Sequence, residues 1–269
     1  MNKTENNKKR NELIAYSLIT NGEYTEITKM IKAGMKLSPE QLAQASKVKN
    51  VITIFDQKYP KTLLELKYPP YVLYYKGDLS LLKNKNICGI AGSRLLKEDY
   101  QRYVYDSTKR LCYHFNGLQN VVVSGLAKGV DAIAHSFAQR SIGVIGCGID
   151  YIYPSENEPL YHKLETSGLI LSEYPGKTKP LAYHFPFRNR IIAGLCKKLY
   201  IPCIESAQSG TGVTINETLE LQKEVYVLPM LATYDNYNNK LINDGAMVID
   251  KSMLDMTDYS DMMPEIMFK

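Results

Sequence analysis

From Asn86 to Met230 the chain repeats one grammar: a short apolar run, a turn of small residues, then an amphipathic stretch. NICGIAG leads through Ser93-Arg94 into EDYQRYVYDSTKRLCYHF. VVVSG leads through LAKG into VDAIAHSFAQR, and SIGVIGCG leads through a loop into ENEPLYHKLETS. GLILSEYP then passes through a Lys/Pro loop into RNRIIAGLC, and KKLYIPCIE through SAQSGTG into VTINETLELQK. EVYVLPM precedes KLINDGAMVID, which is expected to form a short helix and a last strand. Strands this apolar are buried on both faces, the condition of a parallel sheet covered by helices. Right-handed crossovers between them give a doubly wound, mostly parallel α/β sheet.

Two segments precede this pattern and one follows it. Residues 1–50 read as short helices, NELIAYSLI, EYTEITKMIKAG and SPEQLAQASKV, with a capping box at Ser38 and Gln41 and a helix stop at Gly34. This small basic module is expected to be a packing or docking appendage, with direct DNA contact as the alternative. Residues 51–85, rich in Pro and Tyr around the strand-like run YVLYYKG, read as a connector to the main domain, which extends to about 250. Residues 251–269 form an acidic, Met-rich tail with no clear structure.

A chain of 269 residues accommodates one large domain and a small one. With 33 Lys+Arg against 28 Asp+Glu, the net charge of +5 permits a polyanionic partner without requiring one. No run approaches the ~20 apolar residues of a membrane span, and the basic N-terminus has no apolar core behind it to act as a secretory signal. The five cysteines show no metal-ligand spacing and read as reduced core thiols of a cytosolic protein. A G-x-x-x-x-G-K-[ST] phosphate loop, a G-x-G-x-x-G fingerprint, a G-x-S-x-G elbow and an H-E-x-x-H pair are all missing, which argues against the corresponding enzymes and against a cofactor.

Ligands of open parallel sheets sit where strands end and helices begin. Four such turns carry suitable chemistry: Gly92-Ser93-Arg94, the Ser124-Gly125-Leu126-Ala127-Lys128-Gly129 turn, Ser209-Gly210-Thr211-Gly212, and HFPFRNRII from His184. Each offers backbone donors at a helix start, three supply cations, and together they read as an anion cradle. Asp131 and His135 lie four apart on one expected helix and could pair, or could serve the helix alone. In HFPFRNRII, Pro186 suits a helix start. Arg188 and Arg190 are then turned about 200° apart, so one is expected to face a ligand while the other braces the pocket from behind.

Taken together, YPKTLLELKYPPYVLYYKGDLSLL, GIAGSR, VVVSGLAKGVDAIAH, VIGCGIDYIYPSEN, LILSEYP, HFPFRNRIIAGL and SGTGVTINETLELQKEVYVLP closely resemble the DNA-processing protein A family (DprA, also called Smf), over about residues 50 to 250. The resemblance implies an extended Rossmann-like domain and a bacterial cytosolic, non-enzymatic homodimer. It also implies binding of single-stranded DNA and loading of the RecA recombinase in natural transformation or homologous recombination. The implied DNA pocket comprises Gly92, Ser93, Arg94, Ser124, Gly125, Lys128, Gly129, Phe185, Arg188, Asn189 and Arg190. The Ser209, Gly210 and Thr211 turn is expected to join it, with Lys179 extending the basic track. Arg94, Lys128 and one or both of Arg188 and Arg190 would neutralise phosphates, while Phe185 or Phe187 would stack on a base. The implied dimer surface lies around residues 205–250. The sequence departs from the family in three ways: it ends before the winged-helix domain of some relatives, its N-terminal module matches loosely, and Glu217 stands three residues after Thr214. That last spacing also occurs in lonely-guy nucleotide hydrolases, where a carboxylate acts beside a phosphate cradle, and it makes an N-glycosidic hydrolase or a nucleotide-binding protein the alternative.

Overall fold

The computed structural model describes residues 3–231 and 237–255. Three helices come first: α1 (Lys3–Ile19), α2 (Tyr24–Lys32) and α3 (Pro39–Lys47). The capping box at α3 is complete, since Ser38 Oγ accepts from the Gln41 N–H and Gln41 Oε1 from the Ser38 N–H. Gly34 ends α2 with φ +58°. The apolar faces of these helices (Leu13, Ile14, Ile27, Ala45) form one core with Val51, Val72 and Tyr74, so the module is seated on the sheet edge. Arg10 locks the seat, with Nε donating to both carboxylate oxygens of Asp56 at 3.1 and 3.0 Å and Nη2 to the Val51 carbonyl.

The main unit then runs β1 (Val51–Thr53), β2 (Val72–Gly77), β3 (Ile87–Ile90), α4 (Glu98–Gly117), β4 (Val121–Ser124), α5 (Val130–Phe137), β5 (Ser141–Gly148), α6 (Glu158–Ser167), β6 (Leu169–Tyr174) and α7 (His184–Leu195). It continues with β7 (Lys198–Ile201), α8 (Gly210–Glu220), β8 (Glu224–Val227), α9 (Asn238–Asn243), β9 (Met247–Val248) and a 3-10 turn at Lys251–Leu254. The strands form one sheet in the order β1-β2-β6-β5-β4-β3-β7-β8-β9. From β6 to β9 all neighbours are parallel, whereas β1 and β2 pair antiparallel. The expected connector is therefore part of the sheet: YVLYYKG adds to the β6 edge through Tyr74–Ser172 and Gly77–Leu169. Most of the acidic tail, from residue 256 on, lies outside the described residues.

Alternation along the strands divides the core. Val121, Val123, Ile142, Val144, Leu169 and Leu171 face α7, α8 and the turn at Leu63–Leu66. Val122 faces α4 and α5, and Ile145, Cys147 and Ile170 meet Tyr161 and Leu164 of α6. Each fully buried Val, Leu or Ile contributes about 1.5–3 kcal/mol of transfer free energy. The sheet has no face to spare for water, which is why its strands read as unbroken apolar runs.

Sequence order also creates a crevice. From β3 the chain winds outward through β4, β5 and β6, then returns to place β7 on the other side of β3. Loops leaving β3 and β7 diverge, and the carboxyl ends of the two strands open into a topological switch point.

Candidate nucleic-acid interface

A cleft of about 700 Å³ occupies that switch point. Gly92, Ser93 and Arg94 line it from the β3 loop, Ala127 and Asp131 from the β4 loop and α5, and Ser209, Gly210 and Thr211 from the start of α8. The α7 segment adds Phe185, Pro186, Arg188 and Asn189. A smaller adjoining recess holds Gly125, Lys128 and Gly146 and shares Arg94, Phe185 and Arg188. The four turns singled out in the sequence thus meet in one place.

The Ser124–Gly129 turn is held by contacts that its residue types explain. Ser124 Oγ donates to the Ile90 carbonyl at 2.6 Å, tying β4 to β3. Leu126 adopts φ +56°, a conformation that costs an L-residue about 1–2 kcal/mol. Asn157 holds it there, its Nδ2 donating to the carbonyls of Leu126 (2.8 Å) and Ala127 (3.0 Å). Gly129 has φ +71°, and a Cβ there would strike the Ser93 carbonyl. At Gly125 a Cβ would lie 2.6 Å from Arg188 Nη2 and 2.7 Å from Asp131 Oδ2, so only glycine lets both charges approach the turn.

Helix α7 begins at His184, two residues before the expected start at Pro186. Proline costs no hydrogen bond at this third position, because the first four helical N–H groups have no intrahelical partner. Helix α8 likewise begins three residues early, since Ser209 caps it by accepting from the Gly212 N–H at 3.2 Å. Asn189 bridges the two helices, its Nδ2 donating to the Gly210 carbonyl at 2.9 Å while Oδ1 accepts from Arg188 Nε at 3.1 Å.

Both arginines of the RNR triplet are buried, at 4% exposure for Arg188 and 2% for Arg190. Arg188 lies under the cleft floor and donates to the carbonyls of Gly125 (2.7 Å) and Val144 and to Asn189. Asp131, whose carboxylate accepts from the Gly125 and Ala127 N–H groups, faces the same spot. Burial pulls both toward neutrality, raising the Asp131 carboxyl and lowering the Arg188 guanidinium, while each holds the other charged. Arg190 is outside the cleft. Its guanidinium forks Glu173 at 2.6 and 2.7 Å, donates to the carbonyls of Tyr68 and Phe187, and lies 3.7 Å from the Phe187 ring centroid. Arg190 thus lies behind the cleft, with its guanidinium paired to the buried Glu173 carboxylate. Phe187, covered by Arg190, Tyr24 and Tyr68, is outside as well.

Phe185 is half-buried, 5.4 Å from the Tyr153 ring and 5.7 Å from the Arg94 guanidinium. Arg94 is exposed, and Lys128 forms a half-exposed ion pair with Glu156. Lys179 is exposed on the loop beside the cleft-lining Pro180. Sequence reasoning alone misses Tyr153, Glu156 and Asn157, which stand on the loop after β5; the aromatic-proline-acid run YIYPSEN at a strand end was the available signal. Glu205 at the rim is also missed.

The proposed pairing of Asp131 and His135 does not occur. His135 is fully buried against Ser141 Oγ at 2.6 Å, and burial, helped by Lys163 and Arg188, pushes its pKa down to about 3. Glu217 does not line the cleft; half-buried, with its carboxyl pushed up by burial and by Glu220, it lies near Arg190 and Lys67. Thr214 does line it, so the Thr–Glu spacing does not put a carboxylate at this cradle. All five cysteines are free and buried, and no group of metal ligands occurs among the described residues. No described helix is long and apolar enough to cross a membrane.

Comparison with known proteins agrees with this geometry. The family model for DNA recombination-mediator protein A matches residues 50–260. DNA processing protein DprA of Bacillus subtilis is 38% identical over 207 residues, covering 74% of this chain and 68% of its own. The Streptococcus pneumoniae protein is 36% identical over 205 residues, covering 73% and 70%. A crystal structure of the S. pneumoniae protein superposes with a TM-score of 0.67 at 28% identity, over 90% of this chain and 92% of that one. A structure of DNA processing protein A from Helicobacter pylori, solved for its single-stranded DNA binding mode, gives 0.69 at 30% identity over 78% and 96%. With the family model covering most of its length and relatives at 36–38% identity over more than two thirds of their own chains, the chain belongs to the DNA recombination-mediator protein A family.

Proposed function

We propose that the switch-point cleft binds the sugar-phosphate backbone of single-stranded DNA without sequence preference, and that the protein delivers this DNA to a RecA recombinase. The observation that carries this reading is Arg188, a buried guanidinium hydrogen-bonded to neutral acceptors beneath a cleft rimmed by Arg94 and Lys128. Such an arrangement keeps a fixed positive potential aimed at the opening, where phosphate charge is least screened. Phe185, with Arg94 beside it, offers a ring for stacking, and the first turn of α8 at Gly210 and Thr211 brings backbone donors close. Lys179 extends the cationic rim. The described single-stranded DNA binding mode of the H. pylori relative supports the same ligand here.

The protein acts in this reading as a binder and not as a catalyst, working as a homodimer in the bacterial cytosol during transformation or another recombination process. Fluorescence polarisation with labelled oligothymidylate at low and moderate salt tests it. Arg94→Ala and Lys128→Glu should each weaken binding by about tenfold or less, and each should lower the slope of log affinity against log salt by about one. Undetectable binding, or indifference to both substitutions, contradicts the reading.

A further inference from the structure

A second aromatic surface lies outside the cleft, on α4 and α5. Tyr105, Lys109 and Tyr113 recur every fourth residue of α4 and so share one face. Tyr105 is 42% and Tyr113 52% exposed, far more than the tyrosines that pack α4 on the sheet, Tyr100 and Tyr103. Phe137, the last residue of α5, stands between them: its ring meets Tyr105 edge-on at 5.7 Å and Tyr113 edge-on at 5.9 Å. Lys109 Nζ lies 5.2 Å from the Phe137 ring centroid and 5.8 Å from that of Tyr113. The nearby carboxylate on this helix, Asp106, is held at 3.7 Å by the exposed Arg102.

This surface is pre-ordered. Asn116 Nδ2 donates to the Phe137 carbonyl at 2.9 Å, and Lys163 Nζ gathers the carbonyls of His135, Ser136 and Ala138 at 2.7, 2.9 and 3.0 Å. The end of α5 is thereby fixed against α4 and α6, and the rings are held with part of their faces in water. Fixed, water-facing rings interleaved with an ammonium group are the composition of a single-strand stacking platform, in which every base offers a π-face and phosphates find a cation. A protein-binding hot spot would instead be expected to exclude charge from its centre, which Lys109 occupies.

The surface lies one short helix away from the cleft. Helix α5 starts at the Ser124–Gly129 turn, and its 8 residues carry the chain back along the sheet to Phe137. At 1.5 Å per residue that is about 12 Å from the cleft wall.

We propose that Tyr105, Lys109, Tyr113 and Phe137 form an outer track that stacks the bases of the single strand as it leaves the cleft, extending the binding site over α4. The proposal rests on single-stranded DNA being the ligand of the cleft. It predicts a length dependence that the cleft alone does not produce.

The test titrates the full chain with a short (~6-nucleotide) oligothymidylate, near the lower end of ordinary single-strand site sizes, and a long (~30-nucleotide) one, well beyond them. Tyr105→Ala/Tyr113→Ala should leave the short oligomer's affinity within about twofold and weaken the long one about tenfold. Tyr105→Phe/Tyr113→Phe, which keeps both rings, should retain long-oligomer affinity; a loss there would mean that the contact runs through the hydroxyls, and would overturn the stacking proposal. Lys109→Ala should lower the salt slope by about one for the long oligomer only. Unchanged long-oligomer binding in the folded double alanine variant overturns the outer track while leaving the cleft reading intact. Long-oligomer binding that needs the tyrosines but not Arg94 or Lys128 overturns the cleft reading instead.

Discussion

Arg188 and Arg190 stand two residues apart on one helix, equally buried, in opposite company. Arg190 meets a carboxylate in a fork, so its charge is cancelled where it lies and its hydrogen bonds are used in joining α7 to β6 and to the segment around Tyr68. Arg188 meets carbonyls and an amide, dipoles that solvate a guanidinium without cancelling it, and the nearby Asp131 carboxylate favours its charged form without a direct hydrogen bond to it. Burial alone does not distinguish a structural arginine from a ligand-binding one. The identity of the acceptors does, because a carboxylate removes the field that an anionic ligand would feel.

The largest expected effect comes from breaking the neutralised pair. Arg190→Met leaves Glu173 buried and unpaired, which should cost about 3–5 kcal/mol in urea unfolding. Adding Glu173→Leu should recover much of it, since an apolar pair of similar volume is tolerated where half an ion pair is not. A loss below about 1 kcal/mol in the single variant would break the comparison from the structural side. Gly125→Ala is next: its methyl would press on Arg188 and Asp131 together, with an expected cost of about 1–3 kcal/mol and a weakened cleft.

His135 sharpens the comparison because it feels one arginine and not the other. Its folded pKa of about 3 lies below the unfolded value of ~6.5. Between these values the unfolded chain binds more protons, so the contribution of this histidine to stability is full above about pH 6.5 and is lost as pH falls toward 3. Between pH 7 and pH 5 the loss should be about 2 kcal/mol, read from urea midpoints, and His135→Gln should flatten that limb. Because Arg188 is among the charges that depress it, Arg188→Met should raise the His135 pKa in a ring-proton NMR titration, whereas Arg190→Met should not. The smallest effect belongs to Glu156, whose exposed pair with Lys128 competes with phosphate; Glu156→Gln should tighten DNA binding by about twofold.

The sheet was legible because its strands are buried on both faces and carry the apolar runs that such burial demands. β5 even matches SIGVIGCG residue for residue. What the sequence could not show depends on non-local contacts. The Glu173 partner of Arg190 reads simply as a strand residue, and nothing in HFPFRNRII reveals that β6 stands behind it. Helical geometry separates the two arginines by direction, yet only the packed sheet says which direction holds a carboxylate. The early starts of α7 and α8 have local causes that Pro186 and the glycines of SGTG concealed: a proline tolerated two positions deeper, and a serine cap ahead of the glycines. In the connector YVLYYKG reads as the strand β2 that it forms, whereas β1 was hidden, since it is short and finds its antiparallel register only on β2.

The most direct measurement compares the folded Arg188→Met and Arg190→Met proteins in an oligothymidylate titration at low and moderate salt, below both unfolding transitions. The account predicts that Arg188→Met loses at least about tenfold in affinity and about one unit of salt slope, while Arg190→Met stays within about twofold of the unaltered protein. Equal, large losses in both, or none in Arg188→Met, would contradict it.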